Sequence, residues 1–454
     1  MKNLYKNKNV LLVGMGKSGA SCLEFLNKLG AFCYIFDKNS VILSNFKENL
    51  HCSIVTNLTE EIFKIMDYMV ISPGVSIYDE CVKTAKIFGV KVLGELELGL
   101  QFARGNVIGV TGSNGKTTTT SLVYSILKTA KKTGIICGNI GEPITENILP
   151  FKTNYVVEMS SFQLESVNKI KPKIAAITNI TPNHLDRHLT FKNYQEAKFN
   201  IFRSMKKTGF LILNHDDKNL KKIDIKTIKP KVIYISVNKE IDGFFAKNDV
   251  IYYKNRKKIK KIVDLYDIKL IGKHNIQNIL IAVAISKILK IKNKFIRIAI
   301  NQFKPLQHRL QFVKDVNGVS FVNDSKSTSP DSTITAINAF YKKPLILILG
   351  GSDKNTVFDV LAKKIKCNKE IRLVIVNGKT TNKIVSSLKK YGVKNFVAVD
   401  DFKSAVVMAY KNALGGDTIL LSPACASFDY FSSFEERGEA FKNIVNEIDS
   451  KSCY

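Results

Sequence analysis

Along most of the chain, short runs of apolar and mostly β-branched residues alternate with segments whose apolar positions recur at helical spacing. The runs at 10–13, 32–36, 68–71 and 91–93 read as a first set of strands. Amphipathic helices are expected from the glycines at 14–19 to Leu29 and over 79–88. A second set has strands at 107–110, 154–158 and 174–177, and a helix opening at Lys116. It continues with a helix carrying Tyr194, Ala197, Lys198, Ile201 and Phe202, and ends in an apolar helix over 279–289 capped by the polar stretch 272–278. A third set opens with a strand pair around 313–322 joined at Asn317-Gly318. Strands at 345–349, 373–376, 396–399 and 418–421 and a helix over 404–413 follow. Continuous apolar strands that alternate with helices belong to parallel sheets covered on both faces. The Lys-rich stretch 206–268 has only short β-like runs and offers no chemistry, and no internal repeat stands out.

Chemistry enters where these strands end. The stretch 107–120 reads VIGVTGSNGKTTTT, a buried strand, a glycine turn and a helix start. Gly112, Ser113, Asn114 and Gly115 let backbone N–H groups converge on an anion at a helix N-terminus. Lys116 can reach outer phosphates, the hydroxyl of Thr117 is placed for Mg²⁺, and Thr118 continues the turn. Five residues separate Gly109 from Gly115, so the match to G-x-x-x-x-G-K-[ST] is imperfect, yet the strand–GKT–helix context is specific to nucleoside triphosphate binding. Glu158 ends an apolar strand and is the natural Mg²⁺ partner of such a loop. His184, Asp186 and His188 lie in one loop after a strand and could form a metal or acid–base cluster. Near the N-terminus, Gly14-Met15-Gly16-Lys17-Ser18-Gly19 with Asp37 after the next strand is a dinucleotide-type fingerprint. Alone it could mean NAD or any nucleotide diphosphate. Ser72-Pro73-Gly74 makes a stiff turn at another strand end, and the amides of Asn275 and Asn278 suit a purine edge. The expected class is α/β in three domains: a Rossmann-like N-terminal domain (1–105), a central P-loop ATPase-like parallel-sheet domain (106–302) and a C-terminal doubly wound Rossmann-like domain (303–454).

Composition narrows this only slightly. A length of 454 residues is too long for one ordinary core, and 45% hydrophobic with 24% charged residues is ordinary for a globular chain. No apolar run approaches the ~20 residues that span a bilayer, and the short run at 10–13 is a strand rather than a signal peptide, so a cytoplasmic protein without stable membrane insertion is expected. The eight cysteines show neither C-x-x-C pairs nor metal-ligand spacing and read as reduced thiols. A net charge of +30 raises nucleic-acid binding. The lysines are spread along the chain, however, and the densest run, KNRKKIKK at 254–261, has no interleaved aromatics. Acidic substrates or a generally Lys-rich composition explain the charge as well, and no nucleic-acid partner is expected.

Taken in order, TGSNGKTT, EMSSFQLE, NITPNHLDRH, GKHNIQN, HR, NDSKSTSP, LGGSDK and LLSPACASFDYFSSFEERG resemble the motifs of the Mur ligases. The likeness runs from Val10 to Gly438, and the last motif, with no DNPR motif present, points to the branch that adds D-glutamate. The resemblance implies a monomer that joins D-glutamate to UDP-N-acetylmuramoyl-L-alanine with ATP and two Mg²⁺ ions, in cytoplasmic peptidoglycan precursor synthesis. An acyl phosphate and a tetrahedral intermediate are implied. Lys116, Glu158, His184 and Lys198 would be catalytic, with Thr117, Glu158, His184 and Lys198 toward metal. Lys198, in EAKFN, matches a lysine that takes a carbamate from CO₂ in the family, a role composition alone would not suggest. Asn275, Asn278, Arg309 and Asp324 match ATP-side positions. Gly14, Met15, Gly16, Lys17, Ser18, Asp37, Lys38, Ser72, Pro73, Gly74, Asn139 and Ser160 match the UDP-substrate side, which turns the NAD-like fingerprint into a pyrophosphate cradle. Lys326, Thr328, Lys354, Ser427, Phe428 and Phe434 match positions that hold D-glutamate. Two departures stand out, Gln311 where an acid is commoner and Lys38 where a small polar residue is commoner.

The rival readings are a sister Mur ligase, a folylpolyglutamate-type ligase, an NAD-dependent dehydrogenase resting on residues 14–37, and a basic nucleic-acid-dependent ATPase. Substrates drawn from three domains also imply a third domain that moves.

Overall fold

In the computed structural model, which describes residues 4–266, 268, 270, 272–340, 343–353 and 356–452, the strands form three separate sheets. The first contains β1 (Asn9–Val13), β2 (Phe32–Phe36), β3 (Cys52–Ile54), β4 (Tyr68–Ile71) and β5 (Lys91–Gly94), all parallel in the order β3-β2-β1-β4-β5. Tyr68–Ile71, expected as the third strand, is therefore the fourth; three-residue β3 is too short to show a period. Alternate residues of β1 enter opposite cores. Val10 and Leu12 pack with Leu26 and Ile35, while Leu11 and Val13 pack with Met69 and Val82. The chain leaves β1 for β2 on one side and returns to β4 on the other, so the ends of β1 and β4 flank a topological switch point.

The second sheet has nine strands, β6 (Gly105–Thr111), β7 (Gly134–Gly138), β8 (Thr153–Glu158), β9 (Ile174–Ile177), β10 (Phe210–Asn214), β11 (Lys231–Ser236), β12 (Gly243–Lys247), β13 (Val250–Asn255) and β14 (Lys258–Asp264). Their order is β14-β13-β12-β11-β10-β9-β6-β8-β7, parallel except for the antiparallel β12-β13-β14 end. The segment 206–268 thus extends the central sheet by five strands. The third sheet comprises β15 (Gln311–Val316), β16 (Val319–Asn323), β17 (Leu345–Gly350), β18 (Ile371–Asn377), β19 (Phe396–Ala398) and β20 (Thr418–Leu421). Its order is β15-β16-β20-β17-β18-β19, with only the β15–β16 hairpin antiparallel.

By packing, the chain divides into two compact units, Met1–Asp267 with Gln277–Gln302, and Ile268–Ile276 with Phe303–Tyr454. The apolar helix expected over 279–289 runs over Lys273–Ile288. Asn275 and Asn278 are therefore helical, not part of a preceding cap, because polar residues serve a first turn as well as a cap. Every described cysteine is a free thiol. Among the described residues no helix is long and apolar enough to cross a membrane.

Candidate active site

β9, β6, β8 and β7 lie side by side, so the residues at their C-terminal ends share one edge of the central sheet. β6 leads into Gly112–Gly115 and the helix Lys116–Thr129. Gly112 (φ 148°) and Gly115 (φ 83°) take conformations closed to side chains, and a Cβ would run into Thr178 Oγ1 at the first and Asn278 Oδ1 at the second. The loop between them is held from β9's end. Asn114 N donates to Asn179 Oδ1 (2.9 Å), and Thr178 Oγ1 and Asn179 Nδ2 donate to Asn114 O (2.5 and 3.0 Å). Ser113 Oγ bonds Thr181 O (2.9 Å) and the Tyr194 hydroxyl (2.8 Å). Thr119 Oγ1 donates to Asn278 Oδ1 (3.3 Å). Loop and helix start are thus held in place with backbone N–H groups at a helix N-terminus, an arrangement that can accept an anion.

Lys116 Nζ donates to Gly112 O (2.9 Å) and Ser113 O (3.1 Å), and Lys198 Nζ donates to the same Gly112 O (2.8 Å). Lys198 is 1% exposed on the inward face of the helix Phe191–Arg203, 4.8 Å from the centroid of the Tyr194 ring. Burial holds its ammonium well below the usual lysine range, Lys116 adds repulsion, and Glu158 opposes both. Glu158 Oε1 accepts from Asn139 Nδ2 (2.7 Å), while its buried Oε2 has no hydrogen-bond partner among the described residues. A buried carboxylate oxygen left in this way beside an anion-binding loop suits a divalent cation. Thr117 lies in the first helical turn and Thr118 is buried there.

The expected His184, Asp186 and His188 cluster does not form. Among the described residues no three carboxylate, imidazole or thiol groups gather around a metal-sized space. The short helix Leu185–His188 sets Asp186 toward solvent and turns His188 inward, where its Nε2 meets Ser161 Oγ (3.0 Å) and its Nδ1 lies 3.3 Å from Glu165. Burial pushes the His188 imidazole down to about 4, with Lys198 and Arg187 adding to it. His184 (φ 54°) sets its ring edge-on to Phe162 at 4.8 Å.

At the switch point of the first sheet is a cavity of about 570 Å³ lined by Gly14, Gly16, Lys17, Ser18, Asp37, Lys38, Ser72, Pro73 and Gly74, among others. Asp37 Oδ2 accepts from Met15 N (2.7 Å) and thereby fixes the glycine loop, while Met15's side chain is buried. Lys38 pairs with Asp79 (2.7 Å) at the wall of this cavity. Asn139 and Ser160 do not line it. The first is held by Glu158, and the second caps the helix Ser161–Glu165 in a capping box with Gln163.

In the second unit, the loops after β16, β17 and β20 bring further expected residues together. Asp324 is fully buried, accepts from Leu310 N (3.1 Å) and Ser422 Oγ (2.8 Å), and is pushed up to about 6 by burial against those bonds. Its neighbour Arg309 is in the turn before β15. Lys326 Nζ sits 3.4 Å over the Phe434 ring, Thr328 N bonds Lys326 O, Ser427 is buried, and Phe428 is exposed with its N donating to Ser352 Oγ. Gln311 Oε1 accepts from His308 N (3.0 Å), a use that an acid could also serve. Lys354 lies outside the described residues.

Two arginines that sequence reasoning passed over organise loops, Arg437 those of the second unit and Arg187 the turn after β4 in the first. Arg437, 2% exposed, donates to Ser325 Oγ and to the carbonyls of Ser325, Cys425 and Ala426. Its signal was the i, i+3, i+7 spacing of Phe434, Arg437 and Phe441, which puts the arginine on an apolar face. Arg187 had no such signal, since its partners lie more than a hundred residues earlier or 22 residues earlier on the far side of β9.

Set beside known proteins, residues 8–94 match the Mur ligase MurD-like N-terminal domain, 110–286 the Mur ligase middle domain and 308–425 the Mur ligase glutamate ligase domain. The UDP-N-acetylmuramoylalanine–D-glutamate ligase of Caldicellulosiruptor bescii is 39% identical over 455 residues, covering 98% of both chains. That of Clostridioides difficile is 40% identical over 453 residues, covering 98% of this chain and 99% of its own. A crystal structure of UDP-N-acetylmuramate-alanine ligase from Thermotoga maritima superposes with a TM-score of 0.58 at 18% identity, covering 98% of this chain and 100% of that one. A pseudomurein peptide ligase from Methanothermus fervidus gives 0.60 at 17%, covering 97% and 100%. At these identities the two structures speak to fold.

Proposed function

The chain belongs to the Mur ligase family, and we propose that it joins D-glutamate to UDP-N-acetylmuramoyl-L-alanine in cytoplasmic peptidoglycan synthesis, with ATP converted to ADP and phosphate. The observation that carries the chemistry is the preorganised Gly112–Gly115 loop, with Lys116 and Lys198 sharing one carbonyl beside the orphaned oxygen of Glu158. A carboxylate is a poor acyl donor, so the substrate carboxylate takes the γ-phosphoryl group first. The D-glutamate amine then attacks that carbonyl through a tetrahedral intermediate and phosphate leaves. Crowded negative charge is the main obstacle, and fixed cations and N–H dipoles answer it.

Residues 1–105 are assigned to the UDP-substrate, 106–302 to ATP and 303–454 to D-glutamate. The first-sheet cavity, lined by the Gly14–Ser18 loop and Ser72-Pro73-Gly74, suits a nucleotide diphosphate, with Asp37 and Lys38 at its far end and Asn139 and Ser160 toward the reacting carboxylate. Asn275, Asn278, Arg309 and Asp324 are assigned to ATP. Lys326, Thr328, Lys354, Ser427, Phe428 and Phe434 are assigned to D-glutamate, where lysines against two carboxylates favour a dicarboxylate over a neutral amino acid by roughly 1.5–3 kcal/mol per charge-assisted bond. Thr117, Glu158, His184 and Lys198 would hold two Mg²⁺ ions, which supply charge neutralisation on the phosphates when bound. An ammonium at Lys198 would repel them. Burial and the Lys116 cation shift its amine toward the neutral form, which is the form that adds CO₂, and the carbamate made on loss of a proton would be an anionic donor.

Phosphate release from ATP with UDP-N-acetylmuramoyl-L-alanine, across a panel of D- and L-amino acids, tests the reading. Release with D-glutamate and with none of the other amino acids is expected. Equal release with L-lysine or diaminopimelate would transfer the chain to a sister activity.

A further inference from the structure

A single guanidinium ties the nucleotide-diphosphate cavity to the phosphate-loop edge of the central sheet. Arg187, in the short helix Leu185–His188, donates from Nη1 to Gly74 O (2.8 Å) and from Nη2 to Pro73 O (3.2 Å) and Val75 O (2.6 Å). Those three carbonyls belong to the turn after β4, which walls the cavity at the switch point. On its other side the same group holds Glu165 Oε1 from Nε (2.9 Å) and Nη2 (2.5 Å), and its carbon lies 4.9 Å from the Phe162 centroid. The Phe162 ring that supports Arg187 also receives the edge of His184, three residues earlier in the chain.

We propose that Arg187 is a positioning residue that sets the reach between the two sites. It fixes how far the 73–75 turn, and with it the sugar-nucleotide acid, stands from the phosphate loop and His184. The argument is geometric. Three carbonyls converging on one planar fork define position and orientation together, which a lysine's point charge cannot do. The fork is mostly buried (14% side-chain exposure) and its carboxylate partner more so (3%), so the pair is not a screened surface contact. Burial raises the Glu165 carboxyl and Arg187 lowers it, so removing the arginine would leave a buried carboxylate without its cation. Neither side chain lines the cavity, so the change removes no group that would touch the nucleotide. Such a loss appears as misalignment of reacting atoms, for which small displacements have large rate effects.

The inference rests on the ligase reading above. Failure of that reading would appear as an unaltered chain that releases no phosphate with D-glutamate, a result independent of Arg187. The test compares the full-length chain with its Arg187→Ala and Arg187→Lys variants. It measures kcat and KM for each substrate, the Kd of UDP alone by calorimetry, and thermal unfolding. Arg187→Ala is expected to lower kcat about 30-fold with the UDP Kd changed less than threefold, and Arg187→Lys to recover about a third of that loss on a logarithmic scale. A kcat within twofold of the unaltered chain, or a UDP Kd weakened as much as kcat, would overturn the proposal. Should the alanine variant not fold, the lysine variant decides alone: kcat down about tenfold at unchanged UDP Kd supports it, and equal losses overturn it.

Discussion

Lys198 is the residue whose chemistry depends most on its surroundings. On an open helix face it would be one more solvated lysine; here it is sealed under Tyr194 and aimed at the phosphate loop. Lys198→Ala is expected to lose most activity, and short carboxylates such as formate to restore part of it in steady-state assays, because they supply the missing anion. Full activity of that variant without additive would remove the residue from the mechanism. Asp324 offers a pH test of opposite character. Its carboxyl is raised from 3.8 to about 6, so between those values the folded chain holds a proton that the unfolded chain has released. Stability therefore falls as pH rises through that window. Asp324→Asn should flatten that part of the profile, read as the difference in urea midpoints between pH 4 and pH 7.

Among the elements, the loop-bearing strands were the most legible. β2, β4, β9 and β20 coincide with their apolar runs, because each is a continuous apolar stretch ending in a polar turn, the last three almost wholly buried. The hairpin of β15 and β16 was announced by Asn317-Gly318. β3 was too short to show a period, β7 (GIICG) has glycine at both ends, and the helix Asn293–Gln302 carries isoleucines that read equally well as strand. Of the site, the phosphate loop could be read because its parts are adjacent in sequence. The grip of Asn179 and Thr178 on that loop, and the arginine clamps, could not, since their partners are distant along the chain. The helix Phe434–Ser452 shows what such a clamp contributes. Arg437→Met would strip the guanidinium donor from Ser325 Oγ and from the carbonyls of Ser325 and Cys425, while Ala426 O keeps Ser352 N. We expect it to cost about 3 kcal/mol in urea unfolding, at roughly 1–3 kcal/mol per stranded group after partial relaxation.

At the scale of the whole chain, a charge of +30 raises a nucleic-acid partner that the even spread of the lysines argues against, and the fold shows where the densest run lies. The run 254–261 is the tip of the β13–β14 hairpin and the start of β14, the last strand of the central sheet. Addition of polynucleotide is accordingly expected to leave ATP turnover unchanged at physiological salt. A rise in turnover would revive the nucleic-acid reading. A terminal strand presents an unpaired row of amide and carbonyl groups to any passing chain. Lys258, Lys260 and Lys261 stand on that row, all exposed, the last paired with Asp264 at 2.7 Å. Replacing the three with threonine would keep the strand and remove its mutual repulsion, so light scattering should rise with protein concentration while catalysis per folded molecule stays constant. The lysines that look like a docking platform would then be the means by which a nine-stranded sheet stays solitary in a crowded cell.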